Sequence, residues 1–357
     1  MKDIESHVSG AFIRHFKQHR FAKLLGAVAR NHHYLPSRPA RANVIVVHGY
    51  RAHSRTQYFR AFIDRIRDAS WYNVFTVDLP GHGRSVAPER EKERGQIRTF
   101  VRIIRTVYAM TYKVLSLRPY DQLPTILVGY SLGALAIVRF LEEYPSAQKH
   151  IAGVILIAPP FEVDQNASET VLKYRRVLSP TFDLLSRIFP NWNISDPDHT
   201  YDDPLHYNGP LRMRTAASIR SAVSDANAKL GVIRCSVLFI QGEDDLVAPL
   251  GATERAFSAI ATPPACKAIH IYPGVDHDIF EHRDTQKIVG EILRWIDQHA
   301  ERAEFERVDF SGLFDDVVEI SSIWWFALVN TLTVFQKMLV RYLERGRRIL
   351  RFFRIIR

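Results

Sequence analysis

A serine hydroxyl becomes a useful nucleophile when an imidazole takes its proton and a carboxylate orients that imidazole. Three stretches of this chain offer those groups. Gly129-Tyr130-Ser131-Leu132-Gly133 follows the apolar run Thr125–Val128 and opens a helix-forming segment from Ala134 to Leu141. Strand, G-x-S-x-G and helix together describe a tight turn that exposes the serine Oγ and leaves the next backbone N–H for an oxyanion. Gly129 and Gly133 supply the small residues that such a turn needs. Cys235–Ile240 reads as a buried strand running into Gly242-Glu243-Asp244-Asp245, and Lys267–Tyr272 as a strand running into Pro273-Gly274-Val275-Asp276-His277. Serine, carboxylate and histidine therefore each sit just past the C-terminal end of a strand, where open α/β sheets build their sites. The chemistry on offer is nucleophilic attack on an acyl carbonyl.

The elements that must position these groups recur regularly. Asn43–Val47, Asn73–Val77, Thr125–Val128, Gly153–Ile157, Cys235–Ile240 and Lys267–Tyr272 are apolar runs, mostly separated by helical segments. Near-continuous hydrophobicity is the mark of parallel strands buried on both faces. The expected fold class is α/β, with a mostly parallel central sheet flanked by helices. A chain of 357 residues with 46% hydrophobic content can hold one large domain with insertions. The stretch 159–231 breaks the rhythm, is rich in aromatics and proline, and carries no strand signal. A last helix is expected over Asp284–His299.

On these motifs the chain resembles the α/β-hydrolases, and within them the monoacylglycerol lipase and lysophospholipase family. Four segments carry the likeness: Val47-His48-Gly49-Tyr50-Arg51-Ala52-His53-Ser54 with Tyr58; Asp78-Leu79-Pro80-Gly81-His82-Gly83-Arg84-Ser85; the serine turn; and Asp203-Pro204-Leu205 through Gly242 to His277. The resemblance implies Ser131 as nucleophile, His277 as base and Asp245 as the acid, with Asp244 the less favoured alternative. It implies an oxyanion hole from the backbone N–H groups of Tyr50 and Leu132. It makes 159–231 a cap, whose Phe182, Phe189 and Trp192 would meet an acyl chain. Two departures stand out: Tyr130 where the family often has histidine, and Ala134 where a second glycine is frequent. Both are expected to cause only local repacking. The implied organisation is an N-terminal amphipathic segment (1–30), a hydrolase core in two parts (31–158 and 232–300) around the cap (159–231), and a C-terminal extension (301–357).

Other polar residues have plainer readings. Of 15 histidines, His48, His53 and His82 read as loop supports. Asp202, Asp203 and His206 read as a polar loop turning at Pro204, since no metal-ligand spacing accompanies them. No cofactor is expected, and no glycine-rich phosphate loop is present. The two cysteines, Cys235 and Cys266, offer no disulfide framework and read as small apolar residues at strand starts.

The ends carry a second signal. Residues 1–30 lack the continuous apolar stretch of a secretory signal but space Val8, Phe12, Phe16, Leu24 and Val28 helically among basic residues. Ile320 to Gln336 is uncharged and contains Trp324, Trp325 and Phe326. Lys337 to Arg357 then holds one lysine and seven arginines against one glutamate, +7 of the chain's formal +10. The uncharged stretch is short for a span, which wants about 20 residues. Apolar residues at helical spacing beside Arg341, Arg345 and Arg348 favour a helix lying on an anionic membrane surface over nucleic-acid binding. The expectation is a cytoplasmic serine hydrolase of lipid esters, peripherally attached to a membrane. The alternatives are an acyltransferase of the same fold or a membrane-bound scaffold without chemistry. Oligomeric state is left open.

Overall fold

The computed structural model describes residues 33–34, 40–70, 72–116, 120–162, 182–195 and 200–302. The chain divides into two units, Met1–Val308 and Asp309–Arg357. The second unit, with Trp324, Trp325, Phe326, Arg341, Arg345 and Arg348, lies outside the described residues, as does the amphipathic segment 1–30.

The first unit is built on a seven-stranded sheet. In chain order its strands are β1 (His33–Tyr34), β2 (Ala42–Val47), β3 (Tyr72–Val77), β4 (Thr125–Tyr130), β5 (Gly153–Ile157), β8 (Val237–Gly242) and β9 (Lys267–Tyr272). They lie in the order β1-β3-β2-β4-β5-β8-β9. The short β1 runs antiparallel to β3, and every other neighbouring pair is parallel. All residues of β2, β3, β4, β5 and β8 are buried, which is why their sequences are apolar without alternation.

Helices cover both faces. In α1 (Gln57–Ser70), Phe59, Phe62, Ile63 and Ile66 recur at one-face spacing and are buried. In α6 (Thr285–Arg302), Ile288, Val289, Ile292, Trp295 and Ile296 do the same. Both helices share one apolar cluster with Val44, Val46, Ile126, Val128, Ile155 and Ile157. The intervening residues Ile45, Leu127, Leu156 and Phe239 are equally buried, so they face the second layer. That layer contains α2 (Val101–Ser116), α3 (Leu132–Glu143) and α4 (Met213–Lys229), with α3 packed between the other two. A further helix, α5 (Leu250–Ala259), packs on β8. No helix of the described residues is long and apolar enough to cross a membrane.

The chain passes from β2 to β3 on one side and then crosses to β4 on the other. The loops leaving β2 and β4 therefore diverge, opening a crevice at the C-terminal edge of the sheet.

Two expectations need correction. The stretch 159–231 does contain strands: β6 (Asn193–Ser195) and β7 (Leu211–Arg212) form an antiparallel ribbon with an irregular register. Elements of three and two residues are too short to show alternation in sequence. Cys266 does not pack as an apolar residue. The prolines of Thr262-Pro263-Pro264 set a short 3-10 turn before β9, and Cys266 is exposed at its end, while Cys235 precedes β8 and is part-buried.

Candidate active site

Ser131 alone turns the chain between β4 and α3. Its φ of 52° and ψ of −116° lie where residues with a Cβ rarely go. Such a backbone costs about 1–3 kcal/mol and persists when its surroundings over-determine it. Here the Ser131 N–H donates to Ile157 O at 2.8 Å, and its carbonyl accepts from Ala134 N at 2.9 Å and Leu135 N at 3.1 Å. The flanking glycines are required by space. A Cβ on Gly129 would stand 2.6 Å from the Gly133 carbonyl, and one on Gly133 would stand 2.2 Å from Val47 O.

His277 follows β9 and reaches back across the sheet edge. Its Nε2 lies 2.9 Å from Ser131 Oγ, and its Nδ1 lies 2.8 Å from Asp245 Oδ2. A carboxylate opposite Nδ1 fixes the proton there, so Nε2 offers its lone pair to the serine hydroxyl. Asp245, after β8, is buried. Its Oδ1 accepts from Val247 N at 2.9 Å and Ala248 N at 2.7 Å, and its Oδ2 also accepts from Gln241 Nε2 at 3.2 Å. Gln241 is held in turn by Thr253 Oγ1, which donates to its Oε1 at 2.9 Å. Asp244 is exposed, so the alternative acid is not the one facing the imidazole.

Tyr130, a departure from the family pattern expected to cause only local repacking, belongs to this cluster. Its hydroxyl donates to the His277 carbonyl at 3.0 Å. Burial, followed by the influence of Tyr58 and Asp278, holds this phenol well above its usual range, so it remains a donor. Gln241 and Thr253 were likewise unforeseen. In one chain without its fold, nothing distinguishes them from other buried polar residues of a strand and a helix.

The loop after β2 approaches the serine closely: a Cβ at Gly49 would lie 3.4 Å from Ser131 Cβ. His48 controls this loop. Its Nε2 accepts from Leu79 N at 3.0 Å, which leaves the proton on Nδ1 to donate to Gly49 O at 2.7 Å. A trans peptide points its N–H opposite to its C=O. The Tyr50 N–H is thus directed away from the His48 ring. Burial lowers His48 to about 4, so the ring is neutral and keeps both bonds at neutral pH. Leu132 is the first residue of α3, and its N–H is among those a helix leaves without an internal partner. His53 Nε2 meets Asp203 Oδ2 at 2.8 Å, and Asp203 Oδ1 accepts from Leu205 N at 2.9 Å, so this polar loop is tied to the loop after β2.

The expected substrate contacts differ in exposure. Phe189 and Trp192 are 50% and 56% exposed and meet edge-to-face at 5.9 Å. Phe182 is half-buried beneath the Arg220 guanidinium, 5.0 Å from its ring centre.

Several solved structures share this architecture. The monoacylglycerol lipase of Paleococcus ferrophilus is 21% identical, covers 76% of this chain and 99% of its own, and has a TM-score of 0.61. A soluble variant of monoglyceride lipase from Saccharomyces cerevisiae, in complex with a substrate analog, is 17% identical, with 77% and 92% covered and a TM-score of 0.58. A thermostable carboxyl esterase from Bacillus coagulans, in complex with glycerol, is 18% identical, with 75% and 93% covered and a TM-score of 0.55. These likenesses establish the α/β-hydrolase fold. No curated protein sequence matches the chain. The Hydrolase_4 model, described as serine aminopeptidase S33, matches residues 38–284. With that match over most of its length, the chain belongs to the Hydrolase_4 family of α/β-hydrolases.

Proposed function

We propose that this protein is a serine hydrolase of lipid carboxylic esters, monoacylglycerol or lysophospholipid, working through an acyl-enzyme on Ser131. The observation that carries the reading is the continuous hydrogen-bonded chain from Ser131 Oγ through His277 to Asp245. Ser131 Oγ attacks the ester carbonyl carbon while its proton passes to His277 Nε2. The tetrahedral oxyanion takes the N–H groups of Leu132 and Tyr50. Collapse breaks the bond to the alcohol oxygen, which leaves with the proton from His277. Water then attacks the acyl-enzyme by the same route and releases the fatty acid. Asp245 keeps the imidazole oriented throughout, and no cofactor takes part.

The lipid part of the reading has its own support. Leu184, Ile188, Phe189, Trp192 and Ile194 are exposed within 159–231, which we assign as the cap. The monoacylglycerol lipases among the structural neighbours share the architecture. The extension 301–357 is assigned to an anionic membrane surface on the cytoplasmic side, through its tryptophans and arginines.

The test is release of free fatty acid from long-chain monoacylglycerol, lysophospholipid and a short-chain ester by wild type and Ser131→Ala. An aminoacyl arylamide serves as the amide comparison. Release from a long-chain ester that disappears with Ser131→Ala supports the reading. Cleavage of the arylamide alone would make the protein a peptidase. Acyl transfer without hydrolysis would make it an acyltransferase. Equal phenotypes for wild type and Ser131→Ala would leave a scaffold.

A further inference from the structure

Arg51 is the most anomalous residue beside the serine. It follows Tyr50 directly, two residues beyond the Gly49 that abuts Ser131. Its φ is 68°, a left-handed backbone that a residue with a side chain adopts at a cost. Its guanidinium lies 5.7 Å from the centre of the Tyr50 ring and 5.9 Å from that of Tyr207. Nη1 is buried and has no hydrogen-bond partner among the described residues. Among the described residues no carboxylate pairs with this cation. A guanidinium is always charged and carries five N–H donors, so leaving it unpaired while partly desolvated is unfavourable. Ring contacts offset only part of that cost.

A second orphan lies in the same wall. His206 is 5% exposed, and its Nδ1 has no partner either. Tyr207, the next residue, donates its N–H to Arg51 O at 2.9 Å, which holds the two loops together. The charge on Arg51 is near enough to act on His206, which burial chiefly lowers to about 4 and keeps neutral. Arg212 adds a second guanidinium 5.3 Å from the Tyr207 ring centre, and among the described residues it bonds only to the backbone carbonyls of Lys92 and Arg94. Asp203, a carboxylate of this loop, is bonded to His53, so among the described residues the two guanidiniums of Arg51 and Arg212 stand without a paired carboxylate.

We propose that Arg51 recognises a phosphate on the substrate, making the preferred ester a lysophospholipid rather than a neutral monoacylglycerol. The inference rests on the assignment of Ser131 as the nucleophile. Two peptide units, at most about 7 Å of chain, separate Gly49 from Arg51. A phosphate only a glycerol unit away from the scissile ester lies within reach of a long side chain starting there. Planar guanidinium donors suit phosphate oxygens better than they suit glycerol hydroxyls.

The experiment uses the full chain with Arg51→Gly and Arg51→Lys. Glycine suits a φ of 68°, so the first variant removes the guanidinium without backbone strain. Decanoyl lysophosphatidic acid and monodecanoylglycerol, both below their micelle concentrations, are compared by kcat/KM. Wild type is expected to favour the phosphate ester. Arg51→Gly is expected to reduce the phosphate-to-glycerol ratio by about tenfold or more, chiefly through KM, the loss due to one charge-assisted hydrogen bond. Arg51→Lys, a point charge without the fork, falls between. The basic C-terminal extension is common to all three proteins and cancels from the comparison. A wild-type preference for the neutral ester, or an unchanged ratio in Arg51→Gly, overturns the proposal.

Calorimetric binding of the matching ether-linked phosphate separates the two readings. If neither ester is cleaved, the hydrolase assignment fails. Binding of the ether phosphate that weakens about tenfold in Arg51→Gly still upholds the anion site, and equal binding by both proteins removes it.

Discussion

The Tyr130 hydroxyl donates to the backbone carbonyl of His277 at 3.0 Å, joining the residue before the serine to the loop that carries the imidazole. The bond ties the end of β4 to the loop after β9. It sets the position of the His277 backbone independently of the carboxylate that orients its ring. Tyr130→Phe keeps the packing against Phe280, 5.0 Å away, and removes only this bond. The expected result is a fall in kcat of roughly 5–10-fold with little change in KM, equivalent to about 1 kcal/mol. Steady-state kinetics on a soluble short-chain ester checks it.

Gly133 bears on the opposite wall. A methyl group there would meet Val47 O at 2.2 Å and His48 O at 2.7 Å, both of them backbone atoms that cannot swing aside. Gly133→Ala must therefore push the loop after β2 away from α3, and with it the Tyr50 N–H. We expect kcat to fall by about 10²–10³, the usual cost of one lost oxyanion donor. Circular dichroism should show the fold retained, because the displacement is confined to one loop.

Acid should destabilise this protein through its buried imidazoles. Burial lowers His48 to about 4 and His82 to about 3, so the unfolded chain binds protons more readily than the native one below about 6.5. Stability is full above that value and falls as pH drops through the window from 6.5 to about 4. His48 alone contributes a loss of roughly 3 kcal/mol. Urea midpoints measured between pH 7 and pH 4 should fall steadily. A variant with His48→Gln should show a shallower fall, from a lower starting stability.

Arg139 and Glu142 form an ion pair inside α3, with side chains 5% and 0% exposed. Arg139 also binds Glu143 at 2.7 Å. Burial pushes the Glu142 carboxyl up to about 7, so the site tolerates charge poorly even with its partner present. Arg139→Met leaves that carboxyl alone and should cost about 3–5 kcal/mol. The double variant Arg139→Met/Glu142→Met should recover most of the loss, measured by denaturant unfolding.

The sheet could be anticipated from sequence because burial on both faces makes β2, β3, β4, β5 and β8 continuous apolar runs. Gly153–Ile157 and Lys267–Tyr272 fall where expected, while β8 starts two residues later than Cys235 and ends at Gly242. A serine, a carboxylate and a histidine could be anticipated because each follows a strand-like run, and the family resemblance singles out Asp245 over Asp244. The Tyr130 bond could not, since its acceptor is a main-chain oxygen, which every residue possesses. Gln241 and Thr253 were hidden for a related reason: a buried amide at a strand end reveals its purpose only when Asp245 is seen beside it. Arg51 lies within the segment Val47–Ser54, yet nothing in the order of residues discloses a positive φ. Phe189 and Trp192 are legible as residues but not in their exposure. The resemblance marks them as cap residues for an acyl chain, but the order of residues does not disclose that about half of each residue is exposed.

The strand order also has a consequence for synthesis on the ribosome. β5 ends at Ile157, and its neighbour β8 begins only at Val237. At typical elongation rates of about 5–20 residues per second, the intervening chain takes roughly 4–16 s to emerge. During that interval β5 presents an unpaired, wholly apolar edge, the kind of surface that recruits other strands. The nascent protein is then a half-sheet holding its serine but neither its aspartate nor its histidine. Holdase chaperones should engage this intermediate most strongly, and chains stalled before residue 237 should be the ones that aggregate.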